Sequence, residues 1–363
     1  MSKLSLIIPC YNETATLARI VEKALSLKQK LDLEIIIVDD CSTDNSYRIA
    51  QSLQKEYPKI IRVFKNKVNQ GKGASLRVGF SKATGDFIGV QDADMEYNPT
   101  DYITLVDILK TKDTDVVFGS RYLRPNNHRA LYFWHTLMNK FLTFCSNMFT
   151  NFDITDMETC YKLFRKSALQ KILPELQENR FGFEPEITML LAKKRLKVWE
   201  CAIEYNPRSY DEGKKIGWKD GFRALYCIIK YGAPDAPLPM QFLLYLFIGA
   251  ISALCNILAF IILYMFPIDL SYNIILSFLI SAWCNYWLCL RLLFTDQKKW
   301  AGFSQLMKYV LVVGIMGSVD FCLTYALLYF AFSTTIAKAI ASICGIFGNF
   351  YLRKYFVFKK IHS

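Results

Sequence analysis

Short continuous apolar runs alternate with amphipathic stretches along the first two thirds of the chain. "LSLIIPCYN" predicts a buried strand ending at Pro9, followed by a helix over about 14–27. "LEIIIVDDCSTDNS" repeats the plan, with an acidic turn and a helix capped by Ser42 or Asp44. "IIRVFKN", "DFIGVQDADM" and "DVVFGSRY" predict further strands between helical segments. Apolar strands alternating with helices imply an α/β domain with a mainly parallel, Rossmann-like sheet covered on both faces. Ligands in such sheets bind beyond the carboxyl ends of the strands. The segments 9–13, 39–40, 92–96 and 119–121 all fall there.

The pattern changes after Pro239, where nearly every residue is apolar or small. Stretches at about 240–266, 271–294, 306–332 and 336–358 each reach the roughly 20 residues a membrane-crossing helix requires. The second pair repeats the first, aligning Gly249 with Gly314, Ser252 with Gly317, Asn285 with Asn349 and Phe294 with Phe358. This predicts an all-α, four-helix transmembrane domain built from a two-helix unit used twice, with small residues allowing close packing. The expected division is a cytoplasmic domain over 1–231 that includes interfacial helices, a linker over 232–239 and the membrane domain over 240–363. Lys298, Lys299, Arg353, Lys354, Lys359 and Lys360 flank one side, which places both termini in the cytoplasm of a multi-pass inner-membrane protein. Asp320, within the third helix, is read either as functional or as a hydrogen-bond partner of Asn285 or Asn349.

Net charge of +12 fits a membrane surface or a phosphorylated substrate, and no nucleic-acid-binding motif accompanies it. The eleven cysteines follow no framework spacing and read as reduced, structural residues. The first apolar run is too short for a secretory signal.

Two nucleotide motifs are excluded. "PCYNET" lacks the glycines of a dinucleotide fold, and "NQGKGAS" lacks those of a P-loop. The acids of "DADME" are the strongest chemical signal, since Asp92, Asp94 and Glu96 offer hard oxygen ligands for Mg²⁺ or Mn²⁺ at a strand end. Glu184 and Glu186 are candidates for a base or for orienting roles. Two amphipathic segments read as helices at headgroup level. One runs from Leu131 to Phe152, with Trp134 and Phe141 on its apolar side and Lys140 available to phosphate. The other carries Phe222, Leu225, Tyr226 and Ile229 beside Lys219, Arg223 and Lys230.

With "IIPCYNE", "IIVDDCSTD", "NQGKGASLRVGF", "GDFIGVQDADMEYNP" and "GSRYL", the N-terminal half resembles the GT-A domain of glycosyltransferase family 2. "TDMETCYKLFRK" and "PRSYDEGKKIGWKDG" narrow the likeness to polyprenyl-phosphate sugar synthases of the dolichyl-phosphate mannose synthase type. The C-terminal helices resemble the GtrA-like membrane domain. The resemblance implies inverting transfer of one sugar from a nucleotide sugar to a polyprenyl phosphate, with Mg²⁺ or Mn²⁺.

By the same resemblance, Pro9, Tyr11, Glu13 and Asp40 hold base and ribose, while Lys72, Arg77, Asp92, Ala93 and Lys214 line the nucleotide side. Asp94, Arg121, Arg208 and Lys215 serve catalysis, and Lys140, Asp156 and Lys162 face the acceptor. Glu96 stands where mannose synthases carry glutamine, and Cys160–Tyr161 replaces their Gly-Phe. The donor expectation is therefore UDP-glucose first, then GDP-mannose or UDP-N-acetylhexosamine. The expected partners are the donor, the lipid acceptor and the membrane, with homo-oligomerisation through the helices as a further expectation. The alternatives are a processive polysaccharide synthase, whose Gln-x-x-Arg-Trp signature is missing, and a lipid-sugar transporter or scaffold with a non-catalytic soluble domain.

Overall fold

The computed structural model describes residues 2–123, 130–207, 218–267, 269–293 and 303–357. Contacts divide the chain into Met1–Asp235 and Ala236–Ser363.

The first unit is built on a seven-stranded sheet in the order β3-β2-β1-β4-β6-β5-β7. Its strands are β1 (Lys3–Cys10), β2 (Asp32–Asp39), β3 (Ile61–Lys65), β4 (Phe87–Val90), β5 (Val116–Ser120), β6 (Lys162–Arg165) and β7 (Val198–Ala202). Only β6 runs against its neighbours. The sheet is therefore mainly parallel, as the alternating pattern predicts. β1 and β2 are buried along nearly their whole length, which is why they read as continuous apolar runs rather than as alternation.

Register decides where the site lies. Cys10 pairs with Asp39 and Val90 with Ile7, so the turns after β1, β2 and β4 emerge along one edge of the sheet. Each turn carries a residue with left-handed backbone: Asn12, Cys41 and Met95 at φ 54°, 60° and 67°. Non-glycine residues adopt this conformation rarely, and it concentrates where a chain must turn sharply at a functional edge.

Helices α1 (Leu17–Leu25), α2 (Ser46–Glu56), α3 (Lys72–Lys82), α4 (Tyr102–Thr111), α5 (Phe133–Thr150), α6 (Lys166–Ile172), α7 (Phe183–Lys193) and α8 (Trp218–Gly232) complete the unit. The N-cap of α2 is Asn45, one residue past the predicted Asp44, and Asp44 Oδ1 accepts from the Ser46 amide at 2.9 Å. α3 lies against β1 so closely that a Cβ at Gly79 would stand 2.2 Å from Ile7 Cγ2.

The second unit holds α9 (Leu238–Tyr264), α10 (Leu270–Leu288), α11 (Phe303–Tyr329) and α12 (Thr334–Leu352). α10 and α12 each run on into a π-helical turn, at Cys289–Leu293 and Arg353–Val357. Two stretches, Leu238–Tyr264 and Ile275–Leu293, are long and apolar enough to cross a membrane among the described residues. The small-residue expectation is corrected in part. Gly249 and Gly314 meet nothing within 4 Å, whereas a Cβ at Gly348 would stand 2.4 Å from Met316 Cε. α9 and α10 meet instead through polar bonds, Ser281 Oγ to the Ser252 carbonyl at 2.7 Å and Asn285 Nδ2 to Ser252 Oγ at 3.0 Å. The Asp320 side chain lies outside the described residues.

Substituting Gly79 by valine forces β1 and α3 apart. It should destabilise the first unit by about 1–3 kcal/mol, read as a lower thermal midpoint of the purified protein.

Candidate active site

Turns at the sheet edge are held together by side chains that accept the backbone N–H groups a strand end leaves unpaired. Thr43 N donates to Asn12 Oδ1 at 2.8 Å and Glu13 N to Ser46 Oγ at 2.8 Å, closing the β1 and β2 turns on each other. Partial burial pushes the Asp44 carboxyl up, but hydrogen bonds from Ser46 and Thr14 outweigh it and hold the pKa at about 2. Tyr11 stands at the mouth, 40% exposed. Glu13 accepts from Thr16 Oγ1 at 2.8 Å.

Asp40 departs from its predicted place. It is buried, and its carboxylate accepts from Asn66 Nδ2 at 2.7 Å, Gln70 N at 3.0 Å and Gly71 N at 2.6 Å. It therefore shapes the 66–71 loop instead of facing a base. Its neighbour Asp39, placed at the strand end by the sequence but given no role of its own, is fully buried, and its Oδ1 has no partner among the described residues. A buried acceptor left open at a strand end is available to a ligand N–H.

The 66–71 loop leads to Gly71, at φ 100°, where an added Cβ would stand 2.6 Å from the Asn179 carbonyl. Only glycine suits this backbone and this approach. Lys72 follows immediately. Its Nζ lies 3.0 Å from Asp92 Oδ1 and 3.0 Å from Glu184 Oε1. Burial works to lower its pKa, but Asp92 first and then other acidic neighbours including Glu184 raise it well above the ordinary lysine value. The ammonium remains charged.

Asp92, predicted as a metal or nucleotide ligand, is thus paired with a lysine. Asp94 Oδ1 accepts from Glu96 N at 3.2 Å, and Glu96 Oε2 accepts from the Tyr205 hydroxyl at 3.0 Å. Among the described residues no three acidic, histidine or cysteine side chains gather as a metal cage. The three-carboxylate expectation is corrected, because Glu96 turns toward Tyr205. The donor set still fits Mg²⁺, which is commonly held by one or two carboxylates plus substrate phosphates. Ala93 between them is buried.

Further along the edge, Arg121 is held by Asp156 through Nε and Nη2, each at 2.7 Å, and lies over the Tyr205 ring at 5.3 Å. Asp156 has no exposure, so it orients Arg121 and does not itself meet an acceptor. Lys162 is likewise buried, donating to the Met157 carbonyl at 2.9 Å and to that of Thr159. It braces the 157–159 loop, against the acceptor role expected of it. Burial first, and then the charge of Glu184, raise the Glu158 carboxyl in that loop above the ordinary glutamate value.

Arg77 is a further correction. It donates to the Glu178 carbonyl and to Asn179 Oδ1, both at 2.5 Å, and so ties α3 to the 177–182 loop. Glu186 accepts the amides of Gln177 and Glu178 at 2.7 and 2.9 Å, a structural role. The Glu178 carboxylate accepts from Arg223 at 2.5 Å, Tyr231 at 2.7 Å and Lys230 at 3.2 Å, all on α8. Sequence reasoning missed this junction, whose partners lie 45–53 residues apart.

α5 is inverted relative to a core helix. It buries Asn139, Thr143 and Ser146 along with Leu142 and Phe149, and exposes Phe133, Trp134, Leu137, Met138, Phe141 and Phe144, with Trp134 77% exposed. Lys140 is exposed and lies 6.0 Å from the Tyr122 ring. On α8, Phe222 and Tyr226 are exposed while Leu225 and Ile229 are half-buried. Pro9 is half-buried in β1. Arg208, Lys214 and Lys215 lie outside the described residues.

A mainly parallel sheet with acids and cations along its carboxyl edge, followed by apolar helices, defines a GT-A-like domain joined to a helical membrane region. Residues 5–173 match the family model for glycosyl transferase family 2, and residues 244–361 match that for the GtrA/DPMS transmembrane domain. The chain carries a glycosyl transferase family 2 domain followed by a GtrA/DPMS transmembrane domain. It is 28% identical over 233 residues to a dolichol-phosphate mannosyltransferase of Pyrococcus furiosus, covering 63% of this chain and 64% of that one. It is 33% identical over 230 residues to a dolichyl-phosphate beta-glucosyltransferase of Saccharomyces cerevisiae, covering 56% and 66%. The chain spans just under two thirds of the length of these relatives. A glucosyl-3-phosphoglycerate synthase of Mycobacterium tuberculosis superposes at a TM-score of 0.49 and 16% identity, covering 65% of this chain and 80% of that one.

Replacing Lys72 by methionine strands two partly buried carboxylates. The expected loss is about 3–5 kcal/mol of stability, partly recovered in the Lys72→Met/Glu184→Gln double variant, both read by thermal melting. Glu178 gives a pH test. Burial raises its pKa, but Arg223, Tyr231 and Lys230 lower it further, from 4.5 to about 2. A carboxyl depressed on folding contributes stability that is complete above 4.5 and is lost as pH falls toward 2. Melting of Glu178→Gln should therefore vary less steeply across that interval than melting of the parent.

Proposed function

We propose that the protein transfers a single sugar from a nucleotide sugar, UDP-glucose foremost, to a polyprenyl phosphate at the membrane, giving a β-linked product. The observation that carries this reading is the meeting, at one sheet edge, of the unpartnered Asp39 oxygen, the Asp92–Asp94 pair and the Lys72 ammonium. Within a family 2 domain, this combination suits a nucleoside diphosphate. The base N–H would be taken by Asp39 beside the exposed Tyr11, with Pro9 and Glu13 nearby and Asp40 holding the loop behind them. The relatives' names as dolichyl-phosphate mannosyl- and glucosyltransferases support the lipid phosphate as acceptor and leave both hexoses in range.

In the reaction an acceptor phosphate oxygen bonds to the anomeric carbon while the bond from that carbon to the nucleoside diphosphate breaks. One such displacement inverts the centre. The acceptor is ionised at neutral pH, so no side chain has to remove a proton. That agrees with Glu184 and Glu186 being engaged in structural bonds. When bound, Mg²⁺ or Mn²⁺ would neutralise charge on the departing diphosphate, with Asp94 and Asp92 as its protein ligands. Arg121, held by Asp156, would supply fixed positive charge, and the resemblance assigns the same task to Arg208, Lys214 and Lys215, which lie outside the described residues.

The exposed aromatic faces of α5 and α8 would seat the domain among lipid headgroups, with Lys140 toward the phosphate. The four helices of the second unit would all cross the bilayer, leaving both termini in the cytoplasm.

The test is transfer of radiolabelled sugar into lipid by membranes supplied with undecaprenyl phosphate and a panel of UDP- and GDP-sugars. Asp94→Asn should lower transfer by about a hundredfold or more while membrane insertion is unchanged. Full activity in that variant would overturn the metal-assisted reading, and no glycolipid from any donor would overturn the function.

A further inference from the structure

Outside the catalytic unit, one buried charge has no evident purpose in the reaction. Arg353 opens the π-helical turn after α12 and is only 8% exposed. Its Nη1 donates to Asn285 Oδ1 at 2.5 Å, and its guanidinium lies 4.6 Å from the Tyr309 ring and 5.6 Å from the Tyr245 ring. Its Nε is buried and has no acceptor among the described residues. The side chains around it, Asn285, Cys289, Tyr245 and Tyr309, are neutral, and Asn285 Oδ1 is already shared with the Tyr309 hydroxyl at 3.2 Å. No carboxylate among the described residues pairs with it. From Ala236 onward the chain has three aspartates, no glutamate and nine Lys or Arg residues.

The internal repeat supplies a control. Asn285 and Asn349 are equivalent, which sets Cys289 at the position of Arg353 and Leu293 at that of Val357. Both turns are π-helical, and all four of these side chains are buried. The first copy makes its turn around a neutral cysteine, so the turn itself does not require arginine. A guanidinium buried in a membrane-embedded bundle, bonded to neutral side chains and with no carboxylate partner among the described residues, is costly and marks a candidate functional position.

Further cations stand at the same end of the helices. Arg291 lies 5.5 Å from the Trp287 ring, Lys308 5.8 Å from Phe356 and Lys354 5.4 Å from Tyr355. Those aromatic rings are exposed. Cations interleaved with exposed aromatics suit a ligand with an anionic head and an apolar tail.

We propose that this end of the second unit is a binding site for the phosphate head of a membrane lipid, anchored by Arg353. The site is built wholly from residues of the second unit. It relies on the transmembrane character of that unit and not on the proposed transfer reaction.

The test uses the full chain in phosphatidylcholine nanodiscs doped with phosphatidic acid, with inorganic phosphate added in a parallel series. Phosphatidic acid should raise the melting midpoint of the second unit and appear as a retained adduct in native mass spectra. Arg353→Met should weaken that response about tenfold or more, Arg353→Lys should keep part of it, and Cys289→Met should leave it intact. In undoped discs Arg353→Met should melt no lower than the parent. A melting loss for Arg353→Met that is equal in all discs would make the arginine a structural pin and overturn the proposal. So would an equal response to inorganic phosphate alone. A loss of Arg353-dependent stability in Asp296→Asn would identify a carboxylate counter-charge in the link outside the described residues, with the same consequence. Absence of sugar transfer from every donor, with lipid retention intact, would refute the transfer reading alone.

Discussion

The Lys72 ammonium, placed between Asp92 and Glu184, is the contact on which the catalytic unit depends. It joins the end of β4, the start of α3 and the start of α7. Its two partners are carboxylates that could not be buried side by side without a cation between them. Gly71 lets the chain approach Asn179 closely enough for Lys72 to reach them. Asp40 holds the loop that delivers Gly71. The acid that looks most like a ligand in sequence, Asp92, is first of all part of this ion pair.

A wider regularity follows from the same edge of the sheet. Turns beyond parallel strands leave backbone N–H groups without ladder partners, and this chain satisfies many of them with carboxylates. Asp40 serves the 66–71 loop, Glu186 the 177–178 segment and Glu200 the amides of Thr155 and Asp156. A crevice rich in acids is therefore not a crevice rich in ligands. Asp39, Glu158 and Glu184 each keep one buried carboxylate oxygen without a partner among the described residues.

The second unit follows a different economy. α9 and α10 meet through serine and asparagine side chains, while Met316 closes on Gly348 and Phe242 stacks against Phe347. Within that neutral framework the repeat is almost symmetric. Arg353 breaks the symmetry, which makes its charge informative.

The sequence by itself determined the alternation of buried strands and helices, the parallel character of the sheet, the strand-end position of the acids and the repeated apolar helix pair. Each is written in local periodicity, and local periodicity follows from which faces of an element are buried. Only the tertiary structure decided the rest. It turned Asp40 and Arg77 toward neighbouring loops, buried Lys162 and Asp156, gave Glu96 to Tyr205 and built the Glu178 junction from α8. It also showed Gly249 and Gly314 facing open space. Those outcomes depend on which partners lie within three ångströms across dozens of residues, a distance that no periodicity encodes. The strand-end position of the charged residues was legible in the sequence, and the packing around Lys72 decided which of them are tied up in structural bonds.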